Sequence, residues 1–193
     1  MPPDPFKPAG PLKTGPLKTA GPLNTAEALA LFDRLPPASI EQLLGSWRGS
    51  SVASGHPLDG LLERYHWHGK RFDGGEAVHP LVFRGAGGGL VSLEPRWLLP
   101  ALPLLLRWPV LRAPLLQALF TPLFRLLMPL LTTRQPRARL RLCSCRGVET
   151  AAMLYDHAPI IDAFRRLDDD TLLGLMDLRG MEQPFFFLLQ REP

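Results

Sequence analysis

The sequence predicts a mainly β protein (α+β by content), a closed antiparallel β-barrel with short helices capping one end. The first reason is the run G-S-W-R-G at residues 45–49. Because alternate residues of a strand share a face, this run puts one large ring between two glycines. Glycines inside a strand mark bends or a close approach by backbone or ligand. The second reason is a series of eight strand-like segments with turn residues between them, which fits a barrel.

Each element follows from local residue patterns. Alternating apolar residues and turn boundaries predict the eight strands, which are one from residue 45 and then 65–72, 79–84, 90–94, 138–145, 148–156, 171–178 and 185–191. The second strand has Trp67 on one face, with His66, His68, Lys70 and Phe72 opposite. Helical segments are predicted at 25–35, 39–44 and 159–166, with Thr25 and Ser39 as N-caps of the first two. A helical turn through residue 63 would be capped by Asp59.

Residues 97–131 are rich in Leu, Pro and Arg. Six prolines and the arginines Arg107, Arg112 and Arg125 argue against a transmembrane helix. Three short helices, 100–107, 109–121 and 122–131, are predicted instead, each starting near a proline. Such helices would form a lid over the barrel, a layer on a membrane surface with arginines among the headgroups, or an interface between subunits.

The chain of 193 residues is long enough for one domain with a core. Residues 1–25 contain three near-copies of G-P-L-K-T and are predicted to be a disordered Pro-rich tail. The domain then spans 26–193, as an N-terminal half (26–94), a helical insertion (95–136) and a C-terminal half (137–193). The N-terminus lacks the apolar core of a signal peptide, so a cytoplasmic location is expected, with membrane association left open.

The net charge is +4, and residues 95–148 hold nine arginines and no Asp or Glu. These arginines lie among leucines and prolines, with no nucleic-acid-binding motif, so a nucleic-acid partner is not expected. The oligomeric state is left open.

Several motifs in order resemble the bacterial GXWXG-domain proteins and their companion C-terminal domain of unknown function. They include L-L-G-S-W-R-G, G-H-P-L-D-G, W-H-G-K-R-F, V-H-P-L and the stretch A-A-M-L-Y-D-H-A-P-I-I-D-A-F-R-R-L. The resemblance implies a lipocalin- or nitrobindin-like barrel and a hydrophobic ligand. Nitrobindin-like barrels bind haem through a histidine on a late strand. Residues 171–178 and 185–191 contain no histidine, so no cofactor is expected.

No residue pattern indicates a catalytic triad, a metal site or a disulfide. His66 and His68 are a same-face pair without a third ligand, and a solvent-facing position explains them better than metal binding. Cys143 and Cys145 share a strand face but lie too far apart for a relaxed disulfide, so buried thiols are expected.

A polar cluster is predicted at one barrel end from Asp156, Asp162 and Asp177 with Tyr155, Lys70 and Arg165. Arg48, Lys70 or Arg165 would neutralise the carboxylate of a fatty-acid-like ligand. The predicted ligand contacts are Trp47, Arg48, His56, Trp67, Lys70, Phe72, Met153, Tyr155, Arg165 and Met176. The predicted function is non-enzymatic binding of a hydrophobic small molecule. The alternatives are a protein that docks on membranes through 97–131 and an enzyme acting on a lipid-like substrate.

Overall fold

The computed structural model of the chain describes residues 23–85, 87–98, 108 and 113–193. The predicted helix 100–107 and all but the last three residues of the predicted tail lie outside these ranges. The described helices are α1 (Thr25–Arg34), α2 (Ile40–Leu43), α3 (Leu61–Arg64), α4 (Pro95–Leu98) and α5 (Pro114–Leu127), and a 3₁₀ helix spans Met128–Leu131.

The described part of the chain is mainly an antiparallel sheet of nine strands. They are β1 (Gly45–Ser51), β2 (Trp67–Gly74), β3 (Ala77–Arg84), β4 (Leu90–Ser92), β5 (Ala138–Cys145), β6 (Val148–Tyr155), β7 (Ile160–Arg166), β8 (Thr171–Leu178) and β9 (Phe185–Arg191). The sheet order is β2-β1-β9-β8-β7-β6-β5-β3-β4, and β2 also pairs with β3. Eight strands therefore form a closed ring, with β4 attached to β3 outside it.

The ring closes most weakly between β3 and β5, which share a single residue pair, Val78 with Ala138. Further along β3 the partner is β4 instead, with Val82 opposite Ser92. Because β3 divides its free edge between two strands, the wall opens between β4 and β5. This is the part of the chain to which α4, α5 and the 3₁₀ helix belong.

Two apolar cores lie on opposite sides of the sheet. The larger fills the ring and contains aromatic side chains such as Trp47, Phe72 and Phe164. The smaller lies between α1 and the outer face of the sheet, where Phe32 contacts Phe186 with ring centroids 6.4 Å apart. Strands β8 and β9 are therefore apolar on both faces, as strands covered on both sides must be.

The helix starts follow capping rules, with two corrections to the predicted caps. Ser39 caps α2 as predicted, and its side chain accepts from the Gln42 N–H. Asn24 rather than Thr25 caps α1, because Asn24 and Glu27 form a reciprocal capping box. Asp59 caps no helix: its Oδ2 accepts from the N–H groups of Ser54 and His56 and holds the preceding loop.

The prediction of a helical turn at 159–166 is wrong, because this segment is strand β7. Its apolar residues sit at helix-like spacing, but in the structure Ile160, Asp162 and Phe164 are all buried while Ile161 is 40% exposed. Asp162 is an acidic residue at an inward position, so it interrupts the alternation of apolar and polar residues that indicates a strand. The sheet thus gains a ninth strand over the eight predicted.

The predicted helix boundary at Pro122 is also wrong, since α5 runs through it to Leu127. Proline removes one backbone donor and disfavours a helix interior. The helix supplies side chains from both sides of this proline, Phe120 before it and Phe124 after it, to one cavity lining.

A bulge in β2 changes which side chains point inward. The register against β3 shifts on either side of Gly69, which has φ +154°. As a result Trp67 and Lys70, three residues apart, are both buried, whereas regular alternation had put them on opposite faces. A Cβ at Gly69 would lie 1.9 Å from the Trp47 carbonyl oxygen, so only glycine fits.

We expect Gly69→Ala to lower the free energy of unfolding by about 2–4 kcal/mol, because the new methyl group meets backbone and the φ angle is strained. Gly74→Ala is the matched control: it lies in the same strand, and a Cβ at that position would have no neighbouring atom within 4 Å. Urea denaturation of both variants measures the difference. Equal stability of the two would contradict this role for the bulge.

Candidate functional site

A cavity of about 490 Å³ occupies one half of the ring interior. This volume falls within the range of roughly 300–1,000 Å³ found for small-molecule sites. The described residues that line it are Leu58, Leu61, Leu62, Tyr65, Trp67, Lys70, Leu81, Phe83, Leu98, Phe120, Leu123, Phe124, Leu127, Tyr155, Ile160, Asp162, Met176, Phe185 and Phe187. Lys70 and Asp162 are the two charged side chains among these lining residues.

Lys70 and Asp162 form an ion pair inside the ring. Lys70 Nζ lies 2.8 Å from Asp162 Oδ2, and the two side chains are 3% and 1% exposed. Lys70 belongs to β2 and Asp162 to β7, and in the ring order these strands are four places apart in either direction. The pair therefore ties opposite walls of the ring.

The Lys70 ammonium has further partners. It donates to the Pro80 carbonyl oxygen at 3.2 Å. It also lies over aromatic rings, 4.9 Å from the centroid of Phe187 and 5.7 Å from that of Tyr155. A cation over a ring face in a dry environment is held by the ring quadrupole. The carboxylate, the carbonyl and the rings together hold the Lys70 side chain in place.

Burial alters the acid groups next to Lys70. Desolvation raises the pKa of the Asp162 carboxyl, and the Lys70 charge opposes that rise. Desolvation and the charge of Asp162 hold the pKa of Tyr155 well above its usual range. The Tyr155 hydroxyl is therefore a permanent hydrogen-bond donor at this site.

Besides the ion-paired Asp162 Oδ2, two buried polar atoms on the cavity lining have no hydrogen-bond partner among the described residues. They are the acceptor Asp162 Oδ1 and the donor Trp67 Nε1. Buried polar groups are nearly always paired, and an unpaired one costs about 1–3 kcal/mol. The cavity thus carries one acceptor and one donor still to be satisfied.

Helix α5 lines the mouth of the cavity with one of its faces. Phe124 makes ring contacts with Tyr65 at 5.1 Å and with Phe83 at 5.8 Å. Leu123 and Leu127 lie beside it on the same lining. Helix α5 therefore supplies part of the cavity lining, and the three alternatives for 97–131 stay open.

The structure brings four of the ten predicted ligand contacts to the cavity, namely Trp67, Lys70, Tyr155 and Met176. The other six do not line it. Of the predicted polar cluster, Lys70, Tyr155 and Asp162 meet, while Asp156 pairs with Arg139 at 3.0 Å and Asp177 is exposed.

Trp47 is a core residue that pairs with Lys70 across β1 and β2 but does not line the cavity. It is 1% exposed, its Nε1 donates to the Leu43 carbonyl at 2.7 Å, and the Arg191 guanidinium lies 4.3 Å from its ring centroid. The glycine two residues on makes room for another ring, because a Cβ at Gly49 would lie 2.2 Å from the Trp67 indole. The motif G-S-W-R-G therefore shapes the packing of the ring.

Two of the predicted cations are not available to a ligand in the cavity. Arg48 is exposed on the outside of β1. Arg165 is fully buried under α1, where it donates to the Cys145 carbonyl and stacks 5.1 Å from the Phe32 ring centroid. Alternation along β7 explains this, because Arg165 follows the inward Phe164.

The remaining predicted contacts are core residues near the cavity. Phe72 contacts the Phe164 ring at 5.9 Å, and Met153 is fully buried. His56 is 4% exposed, and its Nδ1 accepts from the Leu58 N–H. The cysteines, predicted to be buried, are free thiols of intermediate exposure.

Asp162 and the lining residues of α5 were absent from the predicted contacts. Asp162 carried a usable signal, since it is an acid between apolar neighbours in I-I-D-A-F. The sequence therefore predicts Asp162 in the polar cluster, but the helix prediction for 159–166 gives it no inward position beside a ligand. Phe120, Leu123 and Phe124 carried no such signal, because they are apolar residues in an apolar segment.

A second, polar cavity of about 660 Å³ lies against β2, β3 and β4, and Lys70 borders it too. Two histidines on its wall contact carboxylates: His68 Nε2 lies 2.9 Å from Glu192 Oε2, and His79 Nε2 lies 3.5 Å from Asp73 Oδ2. Burial lowers the pKa of His79. Across the described residues, no group of three or more His, Cys, Asp or Glu side chains is arranged to hold a metal ion.

Within the described ranges, no helix combines the length and apolar character needed to cross a membrane. This includes α5, which has 14 residues.

We expect Lys70→Met and Asp162→Leu each to lower the free energy of unfolding by about 3–5 kcal/mol, because each leaves a buried charge without its partner. The double variant Lys70→Met/Asp162→Leu should regain most of that loss, since no charge then stays buried. A double-mutant cycle measured by urea denaturation tests this. Additive losses would contradict direct pairing of the two side chains.

Two different family models match the N-terminal and C-terminal halves of the chain. A family model described as GXWXG protein matches residues 30–88, and one described as Domain of unknown function (DUF4334) matches residues 136–191. No curated protein matches the chain. A crystal structure of a protein from Thermomonospora curvata is 33% identical, covers 87% of each chain and superimposes with a TM-score of 0.63. The chain belongs to the GXWXG family, with a DUF4334 domain as its C-terminal half.

Proposed function

We propose that the protein binds a hydrophobic small molecule inside a lipocalin-like barrel formed by the ring of strands, without catalysing a reaction. The observation that carries the proposal is the apolar cavity inside the ring, which places one buried ion pair among apolar and aromatic side chains. Ligand sites typically combine a largely apolar lining with a few polar groups that orient the ligand.

The energetics of packing favour an occupant. A lipid-like molecule would remove its own apolar surface and that of the lining from water, which contributes roughly 25 cal/mol for each Å² of apolar surface buried. The side chains of α5 would then cover it, because Phe124 and Leu127 face the cavity.

We expect Ile160→Trp to weaken binding of the uncharged fluorescent probe N-phenyl-1-naphthylamine at least tenfold, because the larger ring fills the cavity. Ile161→Trp is the matched control: it is the next residue of β7 but is 40% exposed, whereas Ile160 is 2% exposed. Fluorescence titration of the wild type and both variants measures the dissociation constants.

The control variant should bind the probe like the wild type, and thermal unfolding should show that both variants fold. Failure of the folded wild type to bind the probe would contradict the proposed function. Equal binding by the two variants would place the probe outside the ring.

A second candidate function, docking on an anionic membrane surface, is favoured by the outer face of the α5 region. Leu126 and Leu130 are 76% and 80% exposed, and Trp97 is 62% exposed. Arg96 and Arg125 are exposed in the same region, and their positive charges would suit a surface of anionic lipid. Such a surface would also be the source of a lipid-like ligand for the cavity beneath.

We expect the wild type to float with phosphatidylcholine vesicles that contain phosphatidylglycerol, less so at high salt, and Leu126→Ser/Leu130→Ser to float less. The salt effect arises because mobile ions screen the arginines. Leu90→Ser/Leu142→Ser is the control, since it removes two half-exposed leucines elsewhere. Absence of wild-type flotation at low salt would rule out docking on this lipid.

A further inference from the structure

We infer that the cavity selects a long-chain alcohol, whose hydroxyl group donates to Asp162 Oδ1 beside the Lys70–Asp162 pair. This inference rests on the proposed function and specifies its ligand. It starts from Asp162, a residue of the cavity lining whose Oδ1 is buried and has no donor among the described residues. An acceptor in that position calls for a ligand that carries a hydrogen-bond donor.

The charge of the site excludes ionised head groups. Asp162 already neutralises Lys70 at 2.8 Å, so the lining residues supply no net charge to a ligand. A carboxylate would bring a second negative charge next to Asp162, and an ammonium group a second positive charge next to Lys70. Either charge would be buried without compensation, which is costly in an apolar site. The two other cations predicted to meet a carboxylate, Arg48 and Arg165, lie elsewhere.

Neutral groups without a donor fit less well than a hydroxyl. A hydrocarbon satisfies neither unpaired atom, and an ether or ketone oxygen accepts but does not donate. A hydroxyl does both: its proton pairs with Asp162 Oδ1, and its oxygen can accept from Trp67 Nε1 or the Tyr155 hydroxyl, which also line the cavity. Sites built around a ligand hydroxyl discriminate strongly against analogues that lack it.

The rest of the cavity fits the alkyl part of such a ligand. The lining beyond the ion pair consists of leucine, isoleucine, phenylalanine and methionine side chains with tyrosine and tryptophan rings. Burial of the ligand's methylene groups against these side chains is favoured by the hydrophobic effect. The hydroxyl end of the ligand would therefore be held at the Lys70–Asp162 pair. Its alkyl part would be held by apolar contacts on the side toward α5.

Displacement of bound N-phenyl-1-naphthylamine at pH 8 tests the inference with three competitors of similar size. They are decan-1-ol, its isomer 1-methoxynonane, which has no hydroxyl proton, and decanoate. We expect decan-1-ol to bind the wild type at least tenfold more tightly than either of the others. An ether or a decanoate that binds as tightly as the alcohol would overturn the inference.

Two variants separate the charge argument from general hydrophobicity. Asp162→Asn leaves Lys70 charged and should reverse the order, so that decanoate binds more tightly than decan-1-ol. Lys70→Met/Asp162→Leu should bind the alcohol and the ether equally well. Retained binding of the naphthylamine probe shows that each variant keeps the cavity, and an Asp162→Asn variant that keeps the wild-type order would overturn the inference.

The probe also distinguishes the two proposals. If the folded wild type does not bind it, the proposed function fails and the inference fails with it. If the probe binds and the alcohol shows no advantage, the proposed function stands and the head-group inference alone is wrong.

Discussion

The ion pair between Lys70 and Asp162 is the constraint around which the interior of the ring is arranged. It joins β2 to β7, the strands that face each other across the ring. On one side of it the interior is filled by rings, with Phe72 against Phe164. On the other side lies the cavity, which Trp67 and Ile160 border on the same two strands. The pair therefore forms a polar floor between a packed half and an open half.

This arrangement depends on one irregularity of the backbone. Without the bulge at Gly69, strand alternation would put Lys70 and Trp67 on opposite faces. A buried lysine with a buried carboxylate is rarely the most stable solution, because apolar residues of the same size avoid the desolvation cost. Keeping such a pair at the boundary of a cavity is easier to explain by recognition than by stability. The glycine bulge in β2 would therefore influence which ligand the cavity accepts.

The sequence predicted much of the fold because alternation and turn residues are local signals. Strands β5, β8 and β9 have the predicted bounds, and Ser39 caps α2 as expected. The prediction for β7 is wrong because strand alternation is interrupted by Asp162, which takes part in a long-range ion pair. Asp162 is an inward residue because Lys70, 92 positions earlier in the chain, neutralises it. Periodicity within seven residues carries no information about such a partner.

The candidate site was half predictable for the same reason. Trp67, Lys70, Tyr155 and Met176 follow from the inward faces of strands, but the bulge that aligns Trp67 with Lys70 depends on the close approach of Gly69 to the Trp47 carbonyl. Trp47 itself is the most prominent residue of the sequence, but it is a core residue outside the cavity lining.

Helix α5 links the interior of the ring to its surroundings because it is apolar on two sides. Phe124 and Leu127 face the cavity, while Leu126 and Leu130, the latter in the adjoining 3₁₀ helix, face outward. A helix that only closed a core would need one apolar stripe, with polar residues on the opposite face. The outward apolar side does not contribute to the stability of the fold. It would suit contact with a lipid surface. If α5 docks on lipid as proposed, it would meet the membrane on one side and the cavity on the other, a position suited to exchange of a long-chain molecule between them.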